Sequence, residues 1–552
     1  MIGWQRQFCG CGKHTILMIM DDEIHDHHRC HTASLQRTVS FRGYTPPAMA
    51  AKAGVDKAVR HVRAAAASAV PLFNQAPLPT ARTAAAATPV ATLFDDVREV
   101  TGTTVRAMDT RKKVLKALWR ANNTEPILDA FHGEMNWSLC PEAGKAVCAT
   151  MEALVDGTHT LAEADGTLYD KRTPRVLREL AVTHTFDRLL EAGIPVQPEE
   201  VLVAPYSALA MFDAILQSLN KLTPGGRLLC PAGFYKDHIN HIDAAGLKLM
   251  HVDADPADNC KLRPDVLLDA VRVAKRSSEG LAGLNLTIPG NPLVAEYSQA
   301  DVNGIAEVCE LEDVKVVVDA SFDKILPPYP PIASGRTATG EAHSMYDRTM
   351  TVVGMSKAYM AFGPLKMGAA ACGDAAWRRL VQSQLVLTFQ RETTALAAAV
   401  LENTPITFLD TGRNTTITQM AKCVDHVHKL NAGRATPVVE IVGEAKYGPF
   451  MLVTLPQHLL DAAGITRGHE LTEVLLAVCG LDTVSSDRVG LDVPAVRLNV
   501  ACPRVTAEKD ARLGTVALDR VAMLGEHIEN GFTLEQWQRT LPEDVVRALN
   551  DA

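Results

Sequence analysis

Between residues 201 and 353 the chain repeats one pattern, and nothing else in its 552 residues constrains the fold as strongly. Short apolar runs at 201–204, 227–230, 247–252, 284–288, 314–319 and 349–353 alternate with longer stretches at 207–219, 238–245, 264–275 and 299–312. The short runs read as buried strands, and the longer stretches, with apolar residues at helical spacing, as helices. Their alternation predicts an α/β fold with a mostly parallel sheet covered on both faces. Ligands of such sheets lie beyond the carboxyl ends of the strands.

A helix over 101–122, a loop over 131–137 and helices over 143–155 and 174–191 precede the repeat. Past residue 400 the pattern loosens. Strands at 449–455 and 496–501, with helices at 470–479 and 510–529, predict a smaller α+β domain. The expected partition is a leader over 1–95, an N-terminal arm or part of the small domain over 96–165, a large domain over 166–400, and a C-terminal small domain over 401–552.

Bulk properties narrow the partners. A net charge of −9 offers no basic surface for nucleic acid. No run of eighteen apolar residues exists, so no membrane span is expected. The twelve cysteines follow no regular framework, which predicts a reduced, intracellular protein. From Leu35 to Phe94 a single acid, Asp56, faces seven Lys or Arg, and seventeen of the sixty residues are alanine. Val55, Val59, Val62 and Ala66 share one helical face there. Two readings of this leader stand: an organellar transit peptide for mitochondrion or plastid, or a flexible tail on a cytoplasmic protein. Cys9, Cys11 and His14, near His25, His27, His28, Cys30 and His31, match no standard zinc spacing, and no metal is expected.

Two of the chemistry-bearing residues, Asp319 and Lys357, sit at or just past strand ends. Lys357 follows the strand at 349–353 through Gly354-Met355-Ser356. A lysine there forms an imine with an aldehyde only if desolvation and nearby charge lower its pKa. Asp319 ends a β-branched strand, where a carboxylate either caps the strand or pairs with a pyridinium nitrogen. Asn291, in Gly290-Asn291-Pro292, is a turn residue or an amide donor to a ring hydroxyl. Ser207 opens a helix, as an N-cap or as part of a phosphate site. Tyr235 follows a strand and either stacks on a ring or packs in the core. Arg497, between Val496 and Leu498, needs an anion, either a substrate carboxylate held bidentately or a structural carboxylate. Together these are the groups that hold pyridoxal phosphate and an amino acid.

In this order and these settings, residues 165–505 resemble the class I/II aminotransferases, fold-type I pyridoxal-phosphate enzymes. The resemblance rests on Pro224-Gly225-Gly226 through Tyr235, Ile288-Pro289-Gly290-Asn291-Pro292, Val316 through Phe322, Gly354-Met355-Ser356-Lys357 with Gly363 and Gly368, and Val496-Arg497-Leu498. It implies that the sheet is of the seven-stranded type, that Lys357 is the Schiff-base lysine and proton shuttle, that Asp319 pairs the pyridine nitrogen and that Asn291 meets the ring hydroxyl. It further implies that Tyr235 stacks on the ring and Arg497 grips the substrate α-carboxylate. Ser207, Ala208, Ser356 and Lys366 fall where the family binds the cofactor. Tyr169 matches the region from which a tyrosine reaches the partner subunit's phosphate in the family's homodimer. The implied reaction is amino transfer from an α-amino acid to a 2-oxo acid, in amino acid metabolism. The alternatives are a lyase, oxidase or cyclase on the same cofactor, and a non-catalytic homologue. Four departures bear on this: Phe322 stands for the usual tyrosine, Gly354 for a serine, Tyr206 for a glycine, and Lys366 for a phosphate-binding arginine one position earlier.

Overall fold

The computed structural model describes residues 100–135, 138–159, 173–338, 344–501 and 513–552. The leader over 1–95, its Cys/His group and Tyr169 lie outside them. Among the described residues no helix is long and apolar enough to cross a membrane.

The expected alternation forms one sheet of seven strands: β1 (Val201–Pro205), β2 (Arg227–Pro231), β3 (Lys248–Val252), β4 (Leu281–Thr287), β5 (Val316–Asp319), β6 (Thr349–Gly354) and β7 (Met367–Ala371). Their order across the sheet is β1-β7-β6-β5-β4-β2-β3. The neighbours from β6 through β3 are parallel, and β7 runs antiparallel to both β6 and β1. All strands but β7 therefore point their carboxyl ends at one edge, where β7 begins. Helices cover both faces, and β1, β5 and β7 are buried throughout.

A second, four-stranded antiparallel sheet comprises β8 (Glu440–Ile441), β9 (Phe450–Thr454), β10 (Val484–Ser485) and β11 (Ala495–Asn499), in the order β10-β11-β9-β8. Its core includes Val453, Leu475, Val496 and Leu498 and is shared with the helix Gly102–Asn122, which contributes Val114 and Leu115. A capping box formed by Thr101 and Thr104 starts that helix.

The helix expected over 174–191 is two helices, Arg175–His184 and Asp187–Glu191. The Thr185 hydroxyl donates to the Ala181 carbonyl at 2.7 Å, and the chain turns so that Phe186 enters the core. The loosened stretch past 400 holds more helix than its pattern suggests. Arg391–Asn403 stops before Thr404-Pro405, and Ile406–Asn431 restarts beyond the proline.

Candidate active site

The carboxyl edge of the large sheet gathers the predicted residues. Ser207 lies two residues beyond β1, Tyr235 four beyond β2, Asn291 four beyond β4 and Lys357 three beyond β6; Asp319 ends β5. Lys366 reaches the same edge from the start of the antiparallel β7. Arg497 comes from the other sheet, on β11, opposite Leu452 of β9 and Val484 of β10.

Lys357 is half-buried, and its Nζ donates to the Gly133 carbonyl at 2.5 Å. Burial, then the charge of Arg497, lowers its pKa to about 8, with Lys366 and Lys236 acting in the same direction and Asp319 opposing. The Phe322 ring centroid lies 5.4 Å from Nζ, and Phe322 packs edge-on against Phe450 at 5.4 Å. Phe322 thus presents its ring to the lysine, three residues after Asp319.

Asp319 is buried. Its Oδ1 accepts from the Ser321 hydroxyl at 2.6 Å and the Ser321 N–H at 3.1 Å, and its Oδ2 lies 3.2 Å from Nε2 of His238. Burial pushes its pKa up, but the His238 and Ser321 contacts outweigh this and hold it below the usual carboxylate value. His238 stacks on Phe212 at 4.2 Å and meets Tyr235 edge-on at 5.4 Å. Burial raises the Tyr235 hydroxyl well above the ordinary phenol value.

Arg497 is 1% exposed. It donates to Asn291 Oδ1 at 2.8 Å and to the Phe131 carbonyl, and its guanidinium lies 4.1 Å from the Phe450 ring centroid. Its Nε has no hydrogen-bond partner, and among the described residues Asp237 and Asp129 act on it through their charges without forming an ion-pair contact. Burial lowers its pKa to about 10. An internal ion pair therefore does not account for this arginine, and its free donor is suited to a carboxylate brought by a ligand.

Ser207 caps the helix Ala208–Leu222, its oxygen accepting from the Ala210 N–H at 3.4 Å. Two glycines let strands press on this helix start. A Cβ on Gly354 would sit 3.1 Å from the Ala208 Cβ, and one on Gly368 would sit 2.5 Å from the Ala208 Cα. Tyr206, at φ +71°, donates its N–H to the Lys366 carbonyl at 3.0 Å. The Lys366 ammonium has its pKa lowered by burial, with no acid opposing the shift. Ser356 lies partly buried in the turn beside Lys357. A helix N-terminus, a serine and a lysine are groups of the kind that take phosphate.

The sequence reading did not single out Gly133, His238, Ser321 or Phe450. Gly133 and Phe450 hold their places only through the fold. His238, three residues past Tyr235, and Ser321, two past Asp319, stood next to residues already singled out, and that adjacency was the available signal.

Residues 177–513 match the family model for aminotransferase class I and II. The bifunctional aspartate aminotransferase and glutamate/aspartate-prephenate aminotransferase of Petunia hybrida is 27% identical over 185 residues, which are 33% of this chain and 35% of that protein. Aspartate/prephenate aminotransferase of Cereibacter sphaeroides is 26% identical over 184 residues, 33% of this chain and 42% of that protein. The matches thus span less than half the length of these curated relatives. Among solved structures, aspartate aminotransferase from Rhizobium meliloti aligns with a TM-score of 0.59 at 18% identity, covering 79% of this chain and 98% of that one. N-succinyldiaminopimelate aminotransferase from Mycobacterium tuberculosis aligns at 0.57 and 17%, covering 79% and 99%. At these identities the likeness speaks for the fold, which is that of fold type I.

Proposed function

Because the chain belongs to the aminotransferase class I and II family, we propose that it transfers an amino group from an α-amino acid to a 2-oxo acid at a site built on Lys357. The observation that carries this is the convergence of a lysine with a lowered pKa and a buried arginine that lacks an acid partner, in line with the buried Asp319 carboxylate.

The residues fit the family's cofactor, pyridoxal 5′-phosphate. Lys357 offers the amine, Asp319 a carboxylate for the ring nitrogen, and Asn291 an amide for the ring hydroxyl. Tyr235 offers a ring face for stacking. Ser207, Ala208, Ser356 and Lys366 offer the cradle for the phosphate, joined in a homodimer by Tyr169 of the other copy. When bound, the cofactor supplies an electron sink for the pair left as the substrate α-proton departs. Lys357 Nζ, neutral in a fraction that grows as pH approaches 8, takes that proton from the α-carbon. Arg497 binds the α-carboxylate through its fork, and Asn291 Oδ1 holds one arm of that fork in place. The ionised Asp319 keeps its charge because His238 and Ser321 donate to it.

Phe322 favours a second reading, in which the same machinery ends in elimination, oxidation or cyclisation. A phenyl ring beside Lys357 cannot donate to the ring oxygen, which alters the electronics that transfer ordinarily uses. Incubating the protein with cofactor, single amino acids and 2-oxoglutarate separates the two. Glutamate as product supports transfer; ammonia without glutamate, or an amino acid consumed with neither released, supports the second reading. Lys357→Ala should abolish both products and the visible absorption band. A Lys357→Ala protein that still turns over would refute the site.

A further inference from the structure

We propose that Asn285 is a positioning residue that sets which nitrogen of His238 carries the proton, and so keeps the full charge of Asp319 available. Asn285 is 0% exposed in the middle of β4, between Leu284 and Leu286, which are buried as well. The backbone ladder uses only main-chain groups, so this side chain must find its own partners or destabilise the sheet. Its Nδ2 lies 3.1 Å from Nδ1 of His238 and 3.8 Å from Sγ of Cys230. Burial pushes the Cys230 thiol up to about 12, so the thiol is neutral and a weak acceptor. The Asn285 Oδ1 has no partner. The amide is therefore held by what its N–H donates, and the substantial acceptor is the imidazole.

A donor at Nδ1 leaves the ring proton on Nε2, and Nε2 lies 3.2 Å from Asp319 Oδ2. The line Asn285 to His238 to Asp319 then donates in one direction throughout. His238 is 1% exposed and lies against Phe212 at 4.2 Å with 17° between the ring planes, which fixes the plane of the imidazole, while the Asn285 and Asp319 contacts fix which edge faces which. With the amide reversed, Oδ1 would demand a proton on Nδ1 as well, and the resulting imidazolium would neutralise the charge of Asp319. A neutral His238 orients Asp319 without cancelling it. The benefit for the cofactor's ring nitrogen rests on the function proposed above; the Asn285–His238 pair does not.

The test is long-range proton–nitrogen NMR of the His238 ring in the unmutated full chain, without and then with pyridoxal 5′-phosphate, the signal being assigned by its loss in His238→Gln. The expected spectrum shows Nδ1 unprotonated and Nε2 protonated. A protonated Nδ1 in that protein overturns the proposal whatever the variants do. Asn285→Leu should leave a mixture of the two neutral forms. Asn285→Asp should protonate both nitrogens and weaken cofactor binding about tenfold, the size of one hydrogen bond. A substitution that only loosens the fold would lower the melting temperature without moving the protonation pattern, and would overturn the positioning role. A changed pattern with unmoved cofactor affinity would instead overturn Asp319 as the partner of the ring nitrogen, while the Asn285–His238 pair stands.

Discussion

At Lys357 burial, the guanidinium of Arg497 and the carboxylate of Asp319 compete, and the first two win, lowering the pKa from 10.5 to about 8. Capture of pyridoxal phosphate by the apoprotein should therefore quicken with pH around a midpoint near 8, read by stopped-flow absorbance. Arg497→Gln should move that midpoint upward. The same shift has a stability consequence. Between about 8 and 10.5 the unfolded chain binds more protons at this position than the folded one, so apoprotein stability should rise with pH through that window. Lys357→Met should flatten the rise in denaturant titrations. Arg497→Lys should cost roughly 2–5 kcal/mol of binding and transition-state stabilisation together, because a point charge does not replace the fork. Kinetics unchanged beside a lower melting temperature would mean a structural role. Phe322→Tyr restores a phenol beside Lys357. It should lower the midpoint of the visible band's pH titration by about one unit if the new hydrogen bond contributes roughly 1–1.5 kcal/mol. Lys357 and Asp319 stood out at strand ends, Arg497 as a charge between apolar neighbours inside a strand, and Asn291 through its Gly-Asn-Pro turn; their order along the chain tied them together. Asn285 and His238 did not stand out: a lone asparagine in an apolar strand announces no partner until β2 and β4 lie side by side.

The sheet's elements were legible where the residues are β-branched or bulky. Strand β7, Met367-Gly-Ala-Ala-Ala371, was not, because it carries no β-branched residue and its small side chains suit close packing more than a strand signal. The structure explains the composition. Gly368 pairs with Ala204 on one side and Gly354 on the other, while the start of the helix Ala208–Leu222 rests on it. A Cβ at Gly368 would lie 2.5 Å from the Ala208 Cα and 2.6 Å from the Ala208 N. These are backbone atoms and cannot rotate away. Gly368→Ala should therefore cost about 1–3 kcal/mol of stability, the range for overpacking. It should also weaken binding of the cofactor's phosphate by displacing the helix start. Denaturant titration and cofactor titration together check this, and loss of stability with unchanged cofactor affinity would separate the helix start from the phosphate cradle. The break after Arg175–His184 escaped the periodicity because Phe186 and Leu189 still satisfy a helical spacing; only the enclosure of Phe186 shows why the chain turns.

Taken as a whole, the molecule draws its site from segments hundreds of residues apart: the loop at Phe131–Gly133, the carboxyl edge of the large sheet, and Arg497 from the second sheet. Contacts of that sequence separation leave no periodic trace, which is why the second sheet was the least legible part. The turn Gly363–Leu365, six residues past Lys357, packs against the helix Arg391–Asn403. Flanking these elements, Phe362 is 59% and Val386 85% exposed, and Leu387 is exposed too. Large apolar side chains left open in this way are what a second copy would cover, and a stable interface buries on the order of 1,200–2,000 Å². The homodimer proposed for this chain should then depend on the 385–390 loop. Val386→Asp with Leu387→Asp would place two charges in the apolar contact and should weaken self-association by about a hundredfold or more, read by sedimentation velocity over a dilution series. Cofactor retention should fall in parallel, because each site would lose the groups the other copy lends it. A protein that stays dimeric with both aspartates in place would remove this loop from the interface, and a monomer that keeps its cofactor and activity would show that each copy builds its site alone.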